Sequence, residues 1–147
     1  MGTWGPGPLD NDTADEYVDI LGGEAESIRL ATLETTFTEA MTSSRGPRVS
    51  VMPEEVIGAA VVVAANTPGG RNLPWNGEYP GIAGWLGGNV PHALVSAAVQ
   101  ALQVTLSADS PHWRGWVDDS VKEEARAAID ELLSALISAG ASGETGA

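Results

Sequence analysis

Apolar side chains recur every three or four residues along most of the chain, the spacing of one face of an α-helix. The pattern predicts three clear helices: about Thr13 to Leu21, roughly Glu24–Ser43, and about Ser120 to Ser138. Acidic residues in the first turn of the first helix agree with its start, because the helix dipole favours negative charge there. We expect Gly140 to end the last helix and residues 141–147 to form a flexible tail.

The apolar positions of these helices predict the faces that form the core. In the first helix they are Ala14, Tyr17, Val18 and Leu21. In the second they are Leu30, Leu33, Phe37, Ala40 and Met41. In the last they are Val121, Ala125, Ile129, Leu132, Leu133, Leu136 and Ile137.

The middle of the chain is less regular. The apolar run Ala59–Ala65 fits either a buried strand or a buried helix, and Pro53 followed by two glutamates favours a central helix over Met52–Ala65. Residues 66–89 are rich in Gly and Pro and predict a long irregular loop that holds a short helix at Pro80–Leu86. A further helix is predicted from Pro91 to about Leu106.

One more short turn of helix is predicted after Ser110-Pro111, where it carries His112, Trp113 and Trp116. The chain is therefore expected to be all-α, with five or six helices in one domain over residues 1–140.

The first eleven residues predict an extended arm, because Gly5, Gly7 and two prolines disfavour both helix and regular strand. Trp4 and Leu9 are apolar and can anchor the arm on the core. The polar residues that follow can cap the first helix and satisfy its exposed backbone N–H groups: Asp10, Asn11 and Asp12.

This opening resembles the N-terminal signature of the bacterial domain of unknown function 4259 family. Members of that family typically begin with Trp-Gly-x-Gly, an apolar residue, Asp-Asn-Asp and a helix with an early Ala. The matching residues are Trp4, Gly5, Gly7, Asp10, Asn11, Asp12 and Ala14, with Leu9 where Phe is common. The resemblance implies a domain and its fold, and it implies no particular reaction.

Charge narrows the classes of partner. The 147 residues contain 20 acidic and 7 basic side chains, a formal net charge of −13. Such a chain repels nucleic acid and anionic membrane, and no basic stripe interrupts the acidity. The first 26 residues carry seven acids and no base. The charge favours solubility or a basic protein partner, and without cysteine or a long apolar segment we expect a cytoplasmic protein.

The same reasoning gives the candidate partner-binding residues. The acidic ones lie on the first helix: Asp12, Asp15, Glu16 and Asp19. The aromatic ones lie in the irregular loop: Trp75, Tyr79 and Trp85. The alternating acids Asp10, Asp12, Asp15 and Asp19 also resemble the start of a Ca²⁺ loop, but its Gly and distal Glu are missing. We therefore predict no metal and no cofactor.

No catalytic constellation stands out. His92 and His112 lie far apart, and pairing His92 with Ser96 one turn later is a weaker interpretation than a solvated or capping histidine. Glu54 and Glu55 fit the first turn of a helix, and Gly69-Gly70-Arg71 lacks the residues of a phosphate loop.

The leading functional hypothesis is therefore a non-enzymatic binding or inhibitor protein, similar in kind to an immunity protein, for a basic partner. One alternative is a ligand-binding domain or small enzyme with a pocket between residues 66–89 and Trp113/Trp116. Another is a structural homo-oligomer joined through its apolar central or C-terminal helix.

Overall fold

The computed structural model describes residues 12–43, 52–87, 90–106 and 119–146. These residues form five α-helices and no strand, so the all-α prediction is confirmed for them. The α-helices are α1 (Asp12–Gly22), α2 (Glu26–Ser43), α3 (Pro53–Ala65), α4 (His92–Thr105) and α5 (Asp119–Gly146). Two short 3₁₀ helices lie between α3 and α4: η1 (Pro74–Glu78) and η2 (Ile82–Gly84).

The ambiguous apolar run is the central helix of the fold. Every residue of α3 from Val56 to Ala65 is buried, and the helix contacts α1, α2, α4, α5 and η2. A helix that is apolar on all sides has to be enclosed in this way. Pro53 occupies its first turn, and Glu55 accepts a hydrogen bond of 3.0 Å from the backbone N–H of Met52. The rest of the described chain therefore covers Val56–Ala65 of the central helix, and the homo-oligomer alternative stays a prediction.

The other helices place their predicted apolar faces against α3 and each other. Val18 of α1, Phe37 of α2, Leu102 of α4 and Leu132 of α5 are all buried. Ile137 is an exception, because its side chain is 52% exposed although the pattern predicts it in the core. It lies about 100° around the helix from the buried Leu136, beyond the edge of the covered face.

The last helix is also longer than the pattern predicts. It continues past Gly140 to Gly146, because a single glycine lowers helix stability by only about 1 kcal/mol and need not end a helix. The flexibility predicted for residues 141–147 stays a prediction. Among the described helices, none combines the length and apolar character that crossing a bilayer would require.

The irregular segment after α3 is held by a buried amide. Asn66 donates hydrogen bonds to the carbonyl oxygens of Val62 (2.8 Å) and Ile82 (2.9 Å), and its Oδ1 accepts one of 3.0 Å from the N–H of Leu86. The short helix predicted at Pro80–Leu86 is present as η2, whereas the sequence did not predict η1. Asn66 therefore fixes η2 on the end of α3.

Two predicted features lie outside the described residues. One is the N-terminal arm with Trp4, Gly5, Gly7, Asp10 and Asn11. The other is the short helical turn with His112, Trp113 and Trp116.

Candidate functional site

The acidic residues predicted as a binding surface lie together on α1. Asp12, Glu16 and Asp19 are exposed, and Asp15 is half-buried. The helix itself contains no Lys, Arg or His. Its inward face carries Ala14, Val18 and Leu21, and therefore the carboxylates occupy the remaining, outward-facing part of the helix.

Asp15 differs from the other three because a tyrosine binds it. The hydroxyl of Tyr79 donates a hydrogen bond to Oδ1 of Asp15 and so joins the irregular loop to α1. Burial raises the pKa of Tyr79 above its ordinary value, and the hydrogen bond to the Asp15 carboxylate raises it further. Tyr79 is therefore protonated at neutral pH and can act as the donor.

The loop aromatics predicted to bind a partner are largely covered. Trp75 is 8% exposed and Tyr79 is 9% exposed, while Trp85 is half-buried. The rings of Tyr79 and Trp85 meet edge to face with their centroids 6.4 Å apart. These side chains pack the loop against the helices, and the partner-binding role predicted for them stays a prediction.

Arg29, which the sequence analysis did not single out, connects the end of α1 to this aromatic cluster. Its guanidinium lies 5.2 Å from the ring centroid of Trp85. It also donates hydrogen bonds of 2.8–2.9 Å to the carbonyl oxygens of Leu21, Gly22 and Trp85. Two of these carbonyls belong to the last turn of α1, where the helix leaves its acceptors unpaired. A basic residue shortly after the end of an acidic helix was the signal that could have identified it.

A groove of 410 Å³ lies beside the acidic face, between α1, α2 and the start of α3. Two large apolar side chains that line it are exposed to solvent, Ile20 at 58% and Met52 at 51%. Three carboxylates also line it, from Glu16, Glu24 and Glu55, and no basic side chain does so within the described part of the chain. Ile20 was not predicted as a site residue, although the sequence carries a signal for it: it is an apolar residue that lies off the buried stripe of its helix.

The lining of this groove includes a tyrosine with a fixed hydroxyl. Tyr17 Oη lies 2.6 Å from Thr36 Oγ1, and that threonine hydroxyl donates to the carbonyl oxygen of Thr32 at 2.9 Å. Tyr17 must therefore donate to Thr36. Burial raises the pKa of Tyr17 to about 12, and the nearby negative charge of Glu55 contributes to the increase.

The structure also shows the surroundings of the residues considered for catalysis, phosphate binding and metal binding. Ser96 Oγ accepts a hydrogen bond of 3.3 Å from Gln100, and His92 is exposed at the start of α4. Gly70 and Arg71 form a turn in which both carbonyl oxygens accept hydrogen bonds from the Asn76 amide. Over the residues that the structure describes, which exclude Asp10, no three His, Asp or Glu side chains are placed to hold a metal ion.

The groove described above is not the pocket that the sequence suggested at the irregular loop, because no residue of 66–89 is among its lining residues. Trp113 and Trp116 lie outside the described residues, and this alternative stays a prediction.

Comparison with known proteins gives a family and no function. A family model described as Domain of unknown function (DUF4259) matches residues 2–135, which is most of the chain. The chain has no significant match among curated proteins or among solved structures. The resemblance noted at the N-terminus thus extends along the molecule, and the chain belongs to the DUF4259 family.

Proposed function

We propose that this protein is a non-enzymatic binding protein that recognises a basic protein partner through α1 and the adjacent groove. The observation that carries the proposal is the combination of acidic and apolar groups at one place. The helix α1 carries exposed carboxylates and contains no basic residue. These carboxylates lie next to a groove lined by the exposed side chains of Ile20 and Met52.

The charges provide attraction and orientation. The carboxylates of Glu16, Asp19 and Glu24 stand on exposed residues, so they keep their hydration and attract cationic groups over roughly the Debye length of 10 Å at moderate salt. Complementary charge of this kind mainly increases association rates and discriminates against wrong partners. A partner with excess Lys and Arg fits this surface, and nucleic acids and anionic lipids do not.

The apolar side chains provide the part of the affinity that salt does not screen. Ile20 and Met52 each leave about half of their surface in water, and covering them releases that water. Exposed apolar groups with a polar rim are typical of protein interaction sites. An inhibitor that covers a basic active site is one form that such a binding protein can take.

Titration with deca-lysine, measured by isothermal titration calorimetry at low ionic strength, tests the electrostatic part of the proposal. A variant carrying Glu16→Gln, Asp19→Asn and Glu24→Gln should bind about tenfold more weakly, because each exposed ion pair contributes a few tenths to 1 kcal/mol. Glu123→Gln, Glu124→Gln and Glu131→Gln form the matched control, since these exposed residues of α5 remove the same charge elsewhere. Equal weakening in both variants, or no binding by the original protein, would contradict the proposal.

A further inference from the structure

We propose that the groove between α1, α2 and α3 binds an extended segment of the partner in which one apolar side chain is flanked on both sides by Lys or Arg. This inference rests on the proposed function and specifies the partner at the level of residues. It predicts recognition of a short linear sequence, and not only of a basic surface.

The order of side chains along the groove carries the inference. Ile20 is central, Glu16 precedes it by one turn of α1, and Glu24 follows it just beyond the end of the helix. The groove thus presents carboxylate, apolar group and carboxylate in succession. Its complement is base, apolar group and base.

The spacing sets the register of that complement. Ile20 lies four residues after Glu16 in α1, a rise of about 6 Å along the helix. Two residues of an extended peptide span about 6.6 Å. An Arg or Lys two residues from the apolar residue therefore reaches Glu16 when the apolar side chain lies on Ile20. The predicted sequence is a basic residue, any residue and an apolar residue, with a second basic residue on the other side of the apolar residue to meet Glu24, which lies beyond the end of α1.

The opposite wall fits the same occupant. Met52, from the residue before α3, adds a second exposed apolar side chain to the lining. Glu55 is half-buried and accepts a hydrogen bond from the Met52 backbone, whereas Glu16 and Glu24 are exposed and accessible to the ligand. The Tyr17 hydroxyl is used by Thr36 and presents its ring as lining. A volume of 410 Å³ accepts a few side chains and not a folded domain.

Charge decides among the possible occupants. A second copy of this chain has a net charge of −13 and would bring further carboxylates to the groove. Nucleic acid and anionic lipid are repelled for the same reason. A peptide segment that carries Lys or Arg on each side of an apolar residue satisfies both the rim and the lining.

Two synthetic peptides of identical composition test the register. Gly-Arg-Gly-Leu-Gly-Arg-Gly places the leucine between the arginines, and Gly-Arg-Arg-Gly-Gly-Gly-Leu places it at one end. We expect the first to bind about tenfold more tightly in an NMR titration of the ¹⁵N-labelled full chain, because only the centred leucine can be partly buried while both arginines meet carboxylates, and a tenfold ratio corresponds to about 1.4 kcal/mol. The largest amide shifts should lie around Ile20 and Met52.

Variants of exposed isoleucines supply the control. Ile20→Ser should abolish the preference for the centred peptide, whereas Ile28→Ser should retain it, because Ile28 is 47% exposed on α2 and does not line the groove. Far-UV circular dichroism should be unchanged in both variants. Equal affinities for the two peptides, with α1-dependent binding of deca-lysine, would overturn this inference and leave the proposed function standing. Loss of the α1 dependence for deca-lysine as well would overturn both.

Discussion

The Tyr79 hydroxyl donates its hydrogen to the carboxylate of Asp15, 64 residues earlier in the chain. This contact joins two features that the sequence presents separately, an acidic helix and a loop rich in Gly and Pro. One carboxylate of α1 thereby serves the fold, while Asp12, Glu16 and Asp19 stay exposed. The proposed binding surface is therefore held on one side by the loop and borders the groove on the other.

Replacing Tyr79 with phenylalanine tests the energetic value of this contact. Tyr79→Phe should lower the free energy of unfolding by about 1–2 kcal/mol. A hydrogen bond to a charged group contributes more to stability than one between neutral groups, but solvent weakens this one because Asp15 is only half-buried. Urea denaturation gives the value. In a double-mutant cycle with Asp15→Asn, the two effects should not add. Additive losses would show that the two side chains act independently.

Arg29 should be intolerant of even a conservative change. Arg29→Lys keeps the charge but removes the planar group that donates to three carbonyls and lies over Trp85, so we expect a loss of about 1–2 kcal/mol in urea denaturation. Arg71→Lys makes the same chemical change at an exposed side chain and should shift stability by less than about 0.5 kcal/mol. Similar values for the two variants would refute the capping role of Arg29.

Gly70 is required by a close backbone approach. A Cβ atom at this position would lie 2.2 Å from the carbonyl oxygen of Ala64 in the buried end of α3. Gly70→Ala should therefore cost at least about 2 kcal/mol by thermal or urea unfolding, since backbone cannot move aside as a flexible side chain can. Gly77→Ala is the matched control, with no atom within 4 Å of its added Cβ. Equal stability of the two variants would contradict this packing.

Stability should fall in alkaline solution because of the tyrosines. The pKa of Tyr17 is about 12 in the folded protein against an ordinary 10.0, so the unfolded chain ionises first as pH rises. Stability is then independent of this group below about pH 10 and decreases above it, by roughly 1 kcal/mol between pH 9 and pH 11. Tyr79 acts in the same direction. Urea denaturation of Tyr17→Phe should show a smaller decrease, and an unchanged decrease would exclude Tyr17 as a cause.

Local sequence signals predicted most of the helices. The apolar face of α1 and the proline and glutamates at the start of α3 each depend on residues within a few turns, so the chain reveals them directly. Boundaries differ by one or two residues in α1 and α2. The two larger errors have separate causes. Ile137 is exposed because the neighbouring helices leave its part of α5 uncovered, and α5 continues past Gly140 because a single glycine need not end a helix.

The candidate site likewise combines features that the local sequence determines with features that depend on tertiary packing. The sequence alone determined that α1 is acidic and free of basic residues, because charge is a property of composition. It could not show that Asp15 accepts a hydrogen bond from Tyr79, that Arg29 caps α1, or that Met52 faces the same groove as Ile20. These relationships join residues far apart in the chain, and only the packing of α1, α2 and the irregular loop around α3 brings them together.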